Sequence, residues 1–239
     1  MKKVLFCSVV VSLFLTGCIF VSDNKVRGNG DVTIEDRPVT SFDKIHVGGV
    51  FKIYLTQGDT EKVEVEIDEN LQQYVNVYHK GNSLILDIEK GVNWGKTTQN
   101  NVYITFKDID QLKIEGVCSV LTRTVLNLEK LKLVVAGVSN SSLELTCNQL
   151  EIDMSGVGNI ELTGETHTLT VEKDGVGKLN AGDLIAAIVN IRNSGVGSAY
   201  IYASQELSMS NSGVGSIYYS GDAVIKSMKS EGVGKIQKK

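Results

Sequence analysis

From about residue 110 onward, apolar and polar side chains alternate in a pattern that repeats. Around each of a series of glycines, apolar residues fall at positions −6, −4, +4 and +6 with polar ones between them. Position −4 holds Leu112, Leu133, Ile152, Val171, Ile191, Met209 and Met228, and position +4 holds Val120, Ser141, Ile160, Leu179, Ala199, Ile217 and Ile236. Alternation with period two marks a strand with one buried face, so each repeat predicts two short strands flanking a glycine bend. The glycines are Gly116, Gly137, Gly156, Gly175, Gly195, Gly213 and Gly232, separated by 21, 19, 19, 20, 18 and 19 residues. The period is therefore close to 19.

A unit this short cannot bury its own apolar face, whereas stacked copies can. With parallel strands about 4.8 Å apart, each repeat adds one rung to a coil whose interior is filled by aliphatic columns. The expected fold is all-β: a parallel, right-handed β-helix with rungs of about 19 residues. The paired glycines Gly156 and Gly158, Gly175 and Gly177, Gly195 and Gly197, Gly213 and Gly215, and Gly232 and Gly234 punctuate its bends. Valine follows the first glycine every time, at Val117, Val138, Val157, Val176, Val196, Val214 and Val233, and is expected to fill one interior slot per rung. Leucine-rich and calcium-binding nonapeptide repeats lack their defining residues here.

Upstream, "IHVGGVFKIYLTQG" (45–58) aligns with "IDMSGVGNIELTG" (152–164), placing an earlier rung around Gly48 and Gly49. An insertion of different grammar follows. "VEVEI" (63–67) and "LILDI" (84–88) alternate as strands, "ENLQQYV" (69–75) has room for a helical turn, "KGNS" (80–83) suits a hairpin turn, and 91–100 reads as polar loop. The N-terminal half is thus expected to be less regular and continuous with the coil. The last repeat puts Lys226 at −6 and Lys238 at +6. With Lys229, Lys235 and Lys239 these form a polar cap against end-to-end strand pairing.

The segments "VGGVFKIYLTQGD", "VEVEIDENL", "SLILDI" and "VYITFKDIDQLKIEG", followed by serial Gly-Val-Gly copies, resemble the auto-transporter adhesin head GIN domain, a family frequent in lipoproteins of Bacteroidetes. The resemblance runs from about Val32 to the C-terminus and implies this fold and an adhesin-like role. It carries over no catalytic residues, because a fold does not by itself transfer function.

Composition narrows the function classes. The chain has 239 residues, 24 glycines, one proline and a net charge of −4, which argues against nucleic acid as a partner. Residues 1–17 read as a lipoprotein signal peptide: Lys2 and Lys3, an apolar run from Val4 to Leu15, then Leu15-Thr16-Gly17-Cys18. Cleavage would leave Cys18 lipidated at the new N-terminus and hold the chain on a membrane, with the outer membrane expected because no aspartate follows Cys18. Residues 18–29 are expected as lipidated cysteine and tether, and 30–239 as a single domain.

Candidate chemistry is sparse. His46, His79 and His167 lie at different rung phases, and Cys118 and Cys147 fall at different points of the perimeter, so neither a metal cluster nor a disulfide is expected. No cofactor is implied. Asp153, Glu172, Arg192 and Ser210 share phase −3, a charge ladder rather than a polysaccharide lyase site. Asn193 and Asn211 at −2 suggest a stacked amide ladder. Tyr200 and Tyr218 share outward phase +5 on adjacent rungs, with Tyr202 nearby, while Tyr219 points inward. These three outward tyrosines are the candidate ligand surface. The reading is a non-enzymatic, envelope-anchored module presenting solenoid faces to a glycan or an envelope protein. An envelope scaffold is the alternative, and a polysaccharide-active enzyme stands behind both.

Overall fold

The structure, a computed structural model, describes residues 25–239, so the leader and Cys18 lie outside the described residues. In chain order the strands are β1 (Lys25–Val26), β2 (Val32–Arg37), β3 (Lys44–Val47), β4 (Val50–Gln57), β5 (Lys62–Asp68), β6 (Val75–Lys80), β7 (Ser83–Ile88), β8 (Asn93–Trp94), β9 (Asn100–Phe106), β10 (Gln111–Ile114), β11 (Val117–Thr122) and β12 (Leu126–Val135). They continue as β13 (Val138–Met154), β14 (Val157–Lys173), β15 (Val176–Asn193), β16 (Ala199–Asn211), β17 (Ile217–Ser220), β18 (Val224–Ser230) and β19 (Ile236–Lys238). A 3-10 helix, Glu69–Tyr74, separates β5 from β6.

Parallel strands stack into a β-solenoid of about seven turns with rungs near 19 residues. Register follows the repeat: Leu112 pairs with Leu133, Leu133 with Ile152, Ile152 with Val171, and Val171 with Ile191. All five are buried and form an aliphatic column running the length of the coil. The expected pair of short strands per repeat is in fact one long strand in the middle of the coil. β13, β14 and β15 run for 17, 17 and 18 residues from one glycine bend to the next.

The bends explain the glycines. At Gly156 a methyl group would stand 2.1 Å from the carbonyl oxygen of Gly137 on the rung below, a distance no side chain tolerates. Hydrogen bonds cross the same gap, with Gly156 N–H donating to Val135 (2.7 Å) and Val157 N–H to Gly137 (2.9 Å). The second glycine of each phrase adds a positive φ, +137° at Gly177, while a methyl there would meet the Gly158 oxygen at 1.7 Å.

The valines overturn their expectation. They stack in register from Val50 through Val117, Val138, Val157, Val176, Val196 and Val214 to Val233, but on the outside, with exposures from 39% to 74%. The alternation does not break at the bend. Positions −4, −2, 0, +2 and +4 all face inward, so +1 must face out.

Position −2 runs Ile114, Val135, Met154, Lys173, Asn193 and Asn211. Lys173 is buried, which lowers its pKa, and its ammonium donates to the carbonyls of Val196 (2.9 Å) and Gly197 (3.4 Å). Above it Asn193 Nδ2 donates to Asn211 Oδ1 (2.8 Å), and Asn211 Nδ2 to the Gly215 carbonyl (2.9 Å), the expected amide ladder.

The N-terminal half interleaves with the coil out of chain order. The β3/β4 rung lies between β10/β11 on one side and β7/β9 on the other, all parallel. Antiparallel pairs β6–β7, β9–β5 and β5–β2 then close that end. Part of the expected tether is docked rather than free: β1 pairs with β8, inside the stretch expected as loop, and Gly28 N–H donates to Lys96 O (2.9 Å). The last rung also departs from expectation. A register shift sets Ile225, not Lys226, against Leu207, and Lys226 swings out to Glu206 (3.1 Å). Lys238 faces Asp222 at 3.6 Å. Among the described residues no helix is long and apolar enough to cross a membrane.

Gly175→Ala places a methyl 2.0 Å from the Gly156 oxygen and is expected to destabilise by about 3 kcal/mol or more in urea unfolding. Val176→Thr, on the outer face, should stay within about 0.5 kcal/mol, and Ile152→Ala should cost about 2–5 kcal/mol. A Val176 effect as large as that of Ile152 would contradict the outward column. The lowered Lys173 pKa means the unfolded chain holds that proton more tightly. Wild-type stability should therefore rise relative to Lys173→Met as pH climbs from the depressed value towards 10.5. Parallel urea curves for the two proteins at neutral and alkaline pH check the sign.

Candidate functional site

Odd positions face solvent, and the +5 column can be followed along the whole solenoid. It reads Tyr103, Tyr54, Leu121, Ser142, Glu161, Asn180, Tyr200, Tyr218 and Gln237, each in register with the next. Beside it the +3 column runs Asn101, Lys52, Ser119, Asn140, Asn159 and Lys178.

The structure brings Tyr200 and Tyr218 together. Their rings stack with centroids 4.9 Å apart and planes 17° off parallel. Such a pair contributes about 0.5–1.5 kcal/mol beyond its area. Lys178 Nζ lies 4.5 Å from the Tyr200 centroid, and Lys239 Nζ lies 4.6 and 5.2 Å from Tyr200 and Tyr218. Tyr202 pairs along the rung direction with Ile185 and Ser220 and makes no ring contact with either tyrosine. Its neighbourhood is displaced by the register shift between Ala181 and Ile185. Tyr219 packs partly buried against the core, as expected.

A second tyrosine stack, missed in the sequence, occupies the other end of the column. Tyr54 and Tyr103 stack at 5.1 Å and 17°. The Arg123 guanidinium lies 4.6 Å from Tyr54 and 4.4 Å from Tyr103, and Lys52 Nζ lies 5.2 Å from Tyr54. Tyr103 donates its hydroxyl to Glu66 Oε2 (2.6 Å), and Asn101 Nδ2 reaches the same oxygen (2.7 Å). Those bonds, Asn101 first, hold the Glu66 carboxyl below its ordinary pKa, while the bond to Glu66 raises the Tyr103 phenol. Tyr54 carries a signal in its +5 phase after Gly49. Tyr103 carries none, because its rung is interleaved.

Between the two stacks the face forms a shallow concavity of about 390 Å³ lined by Lys52, Asn140, Asn159, Glu161, Lys178 and Asn180. Its floor is an amide ladder: Asn159 Nδ2 donates to Asn140 Oδ1 (3.1 Å), and the Lys178 N–H donates to Asn159 Oδ1 (3.2 Å).

The other candidates disperse. Asp153, Glu172, Arg192 and Ser210 sit in register on adjacent rungs, without a direct ion pair among them. His46 pairs with Glu115 (2.5 Å), and His79 Nε2 accepts from the Thr40 N–H (3.1 Å). Among the described residues no three His, Cys, Asp or Glu side chains gather into a metal-binding group. Cys118 and Cys147 are free and buried; burial pushes the Cys118 thiol up to about 11 and raises Cys147 as well.

The family model described as "Putative auto-transporter adhesin, head GIN domain" matches residues 41–223. A crystal structure of a putative adhesin from Bacteroides fragilis is similar at 29% identity and a TM-score of 0.86, covering 90% of this chain and 100% of that one. A putative adhesin from Parabacteroides distasonis is similar at 24% identity and TM-score 0.69, covering 90% and 100%. A putative lipid binding protein from the same species is similar at 23% and 0.66, covering 90% and 99%. The last two bear on the fold alone. No curated protein matches the chain.

With both thiols protonated at pH 8, neither cysteine should react with a thiol reagent such as Ellman's until the protein unfolds, when both should. Rapid labelling of the folded protein would show that one rung opens at that site.

Proposed function

The chain belongs to the head GIN domain family of putative auto-transporter adhesins, and from that premise we propose that it is a non-catalytic, lipid-anchored module of the cell envelope that binds an extended glycan. The observation that carries this reading is the +3/+5 face. A shallow concavity floored by the Asn140 and Asn159 amides reaches Asn180, one rung short of the stacked rings of Tyr200 and Tyr218. Amides offer donors and acceptors to hydroxyl groups, and tyrosines present apolar carbon beside a polar tip. The anchor is Cys18, followed by a short tether, and the outer membrane is its expected address. An envelope scaffold is the second reading. It is favoured by the exposed valine column from Val50 to Val233, an apolar ridge suited to a protein surface.

The test is a glycan and matrix-protein array with the purified protein and with Tyr200→Ala/Tyr218→Ala. A glycan signal lost in the variant supports the reading. No glycan signal, with an envelope protein captured by cross-linking in cells, transfers it to the scaffold. For the anchor, Cys18→Ala should abolish incorporation of radiolabelled fatty acid and release the protein from membranes. Unchanged labelling would remove the lipid from the account.

A further inference from the structure

The two ends of the +5 column carry the same device. At one, Tyr54 and Tyr103 stack between Lys52, three residues after the bend glycine of its rung, and Arg123, seven after the bend of the next. At the other, Tyr200 and Tyr218 stack between Lys178, at +3, and Lys239, at +7. At both ends one cation lies at +3 and one at +7, but from different rungs: Lys52 shares the rung of Tyr54 and Arg123 lies on the next, whereas Lys178 lies one rung before Tyr200 and Lys239 one rung after Tyr218; all four are exposed. Among the described residues none of them makes a contact ion pair with a carboxylate, although Arg123 lies close enough to Glu66 to help lower its pKa. A cation held over a ring has part of its freedom already removed while its N–H donors stay open. That is preorganisation for an anion.

The distance between the devices is fixed by the coil. Tyr54 and Tyr200 are five rung steps apart along the column, about 24 Å at the spacing of neighbouring strands. The space between them holds Leu121, Ser142, Glu161 and Asn180 beside the Asn140 and Asn159 amides, so all but Leu121 offer hydrogen-bonding groups to hydroxyls.

We propose that the two stacks are the end subsites of one extended site for a linear acidic polysaccharide lying along the solenoid axis. Its carboxylate or sulfate groups meet Lys52 and Arg123 at one end and Lys178 and Lys239 at the other, and its hydroxyls meet the amide floor. This rests on the glycan-binding reading above and adds to it the charge class of the ligand, its direction and a second subsite. An acidic peptide would also satisfy the cations, and polyglutamate in the test below separates it from the glycan.

The experiment is titration of the purified full chain with polygalacturonate, dextran sulfate, a galacturonate disaccharide, neutral dextran and polyglutamate. It is repeated for Lys52→Gln/Arg123→Gln, Lys178→Gln/Lys239→Gln and Tyr200→Ala/Tyr218→Ala, each first checked for an unchanged melting curve. At least one long polyanionic glycan should bind tenfold or more tighter than the disaccharide, because both ends engage at once. Either charge-neutralising pair should bring the long chain down to the disaccharide's affinity, and added salt should weaken it. Equal binding of dextran or of polyglutamate overturns the proposal. So does full affinity for the long polyanion in Lys52→Gln/Arg123→Gln, which would make the second stack a packing feature. The two readings fail separately. Absence of any glycan binding by wild type removes the binding module itself. Binding that is lost in Tyr200→Ala/Tyr218→Ala but untouched in Lys52→Gln/Arg123→Gln removes only the two-ended site.

Discussion

The structure depends on how closely one backbone passes over another at the bend. Gly116, Gly137, Gly156, Gly175, Gly195, Gly213 and Gly232 each lie where an added methyl would stand 2.0–2.2 Å from the carbonyl oxygen of the equivalent glycine below. Hydrogen bonding across that gap locks the phase of every rung to its neighbour. Once phase is locked, the aliphatic columns at −4 and +4 must coincide, and so must the outward columns. The stacked tyrosines, the asparagine ladder and the valine ridge are therefore consequences of one steric constraint repeated at nearly constant interval. A side chain at these glycines would push rungs apart and break the internal columns and the outer faces together.

Much of this was legible because period two and period 19 are independent signals that agree. The β-solenoid, the −2 amide ladder and the inward Tyr219 all follow from counting along the chain. The valines were assigned to the wrong side for an identifiable reason. A valine recurring in every copy reads as an interior residue, whereas the backbone keeps its pleat through Gly156-Val157-Gly158 and so turns Val157 outward. Lys226 was misplaced for a related reason. A single bulge in the last rung shifts the count, and Ile225 takes the inner edge. The order of rungs in the N-terminal half has no local signature at all, since strands at 83–88 and 100–106 are ordinary strands wherever they dock.

That same gap divides the candidate surface. Tyr200 and Tyr218 could be paired from sequence because their rungs are consecutive in the chain. Tyr54 and Tyr103 could not, because a rung formed later in sequence lies beneath an earlier one. The cations were still less visible, because a lysine at +3 becomes informative only once the ring it covers is known. Outward chemistry in a solenoid is thus readable within runs of consecutive rungs and is lost where the chain doubles back.

The doubling back also orders the assembly of the molecule in time. A chain is made from its N-terminus, and the segment 44–57 appears early with two bare edges, neither of which the next stretch of chain completes by simple coiling. One edge waits for residues near 85 and 104, the other for residues near 112 and 120, so two long loops must close before that rung is sealed. The later rungs need only the turn immediately before them. The solenoid thus has one end that closes over long loops and one that grows rung by rung, and the first rung to emerge stays open until residues near 120 have followed it.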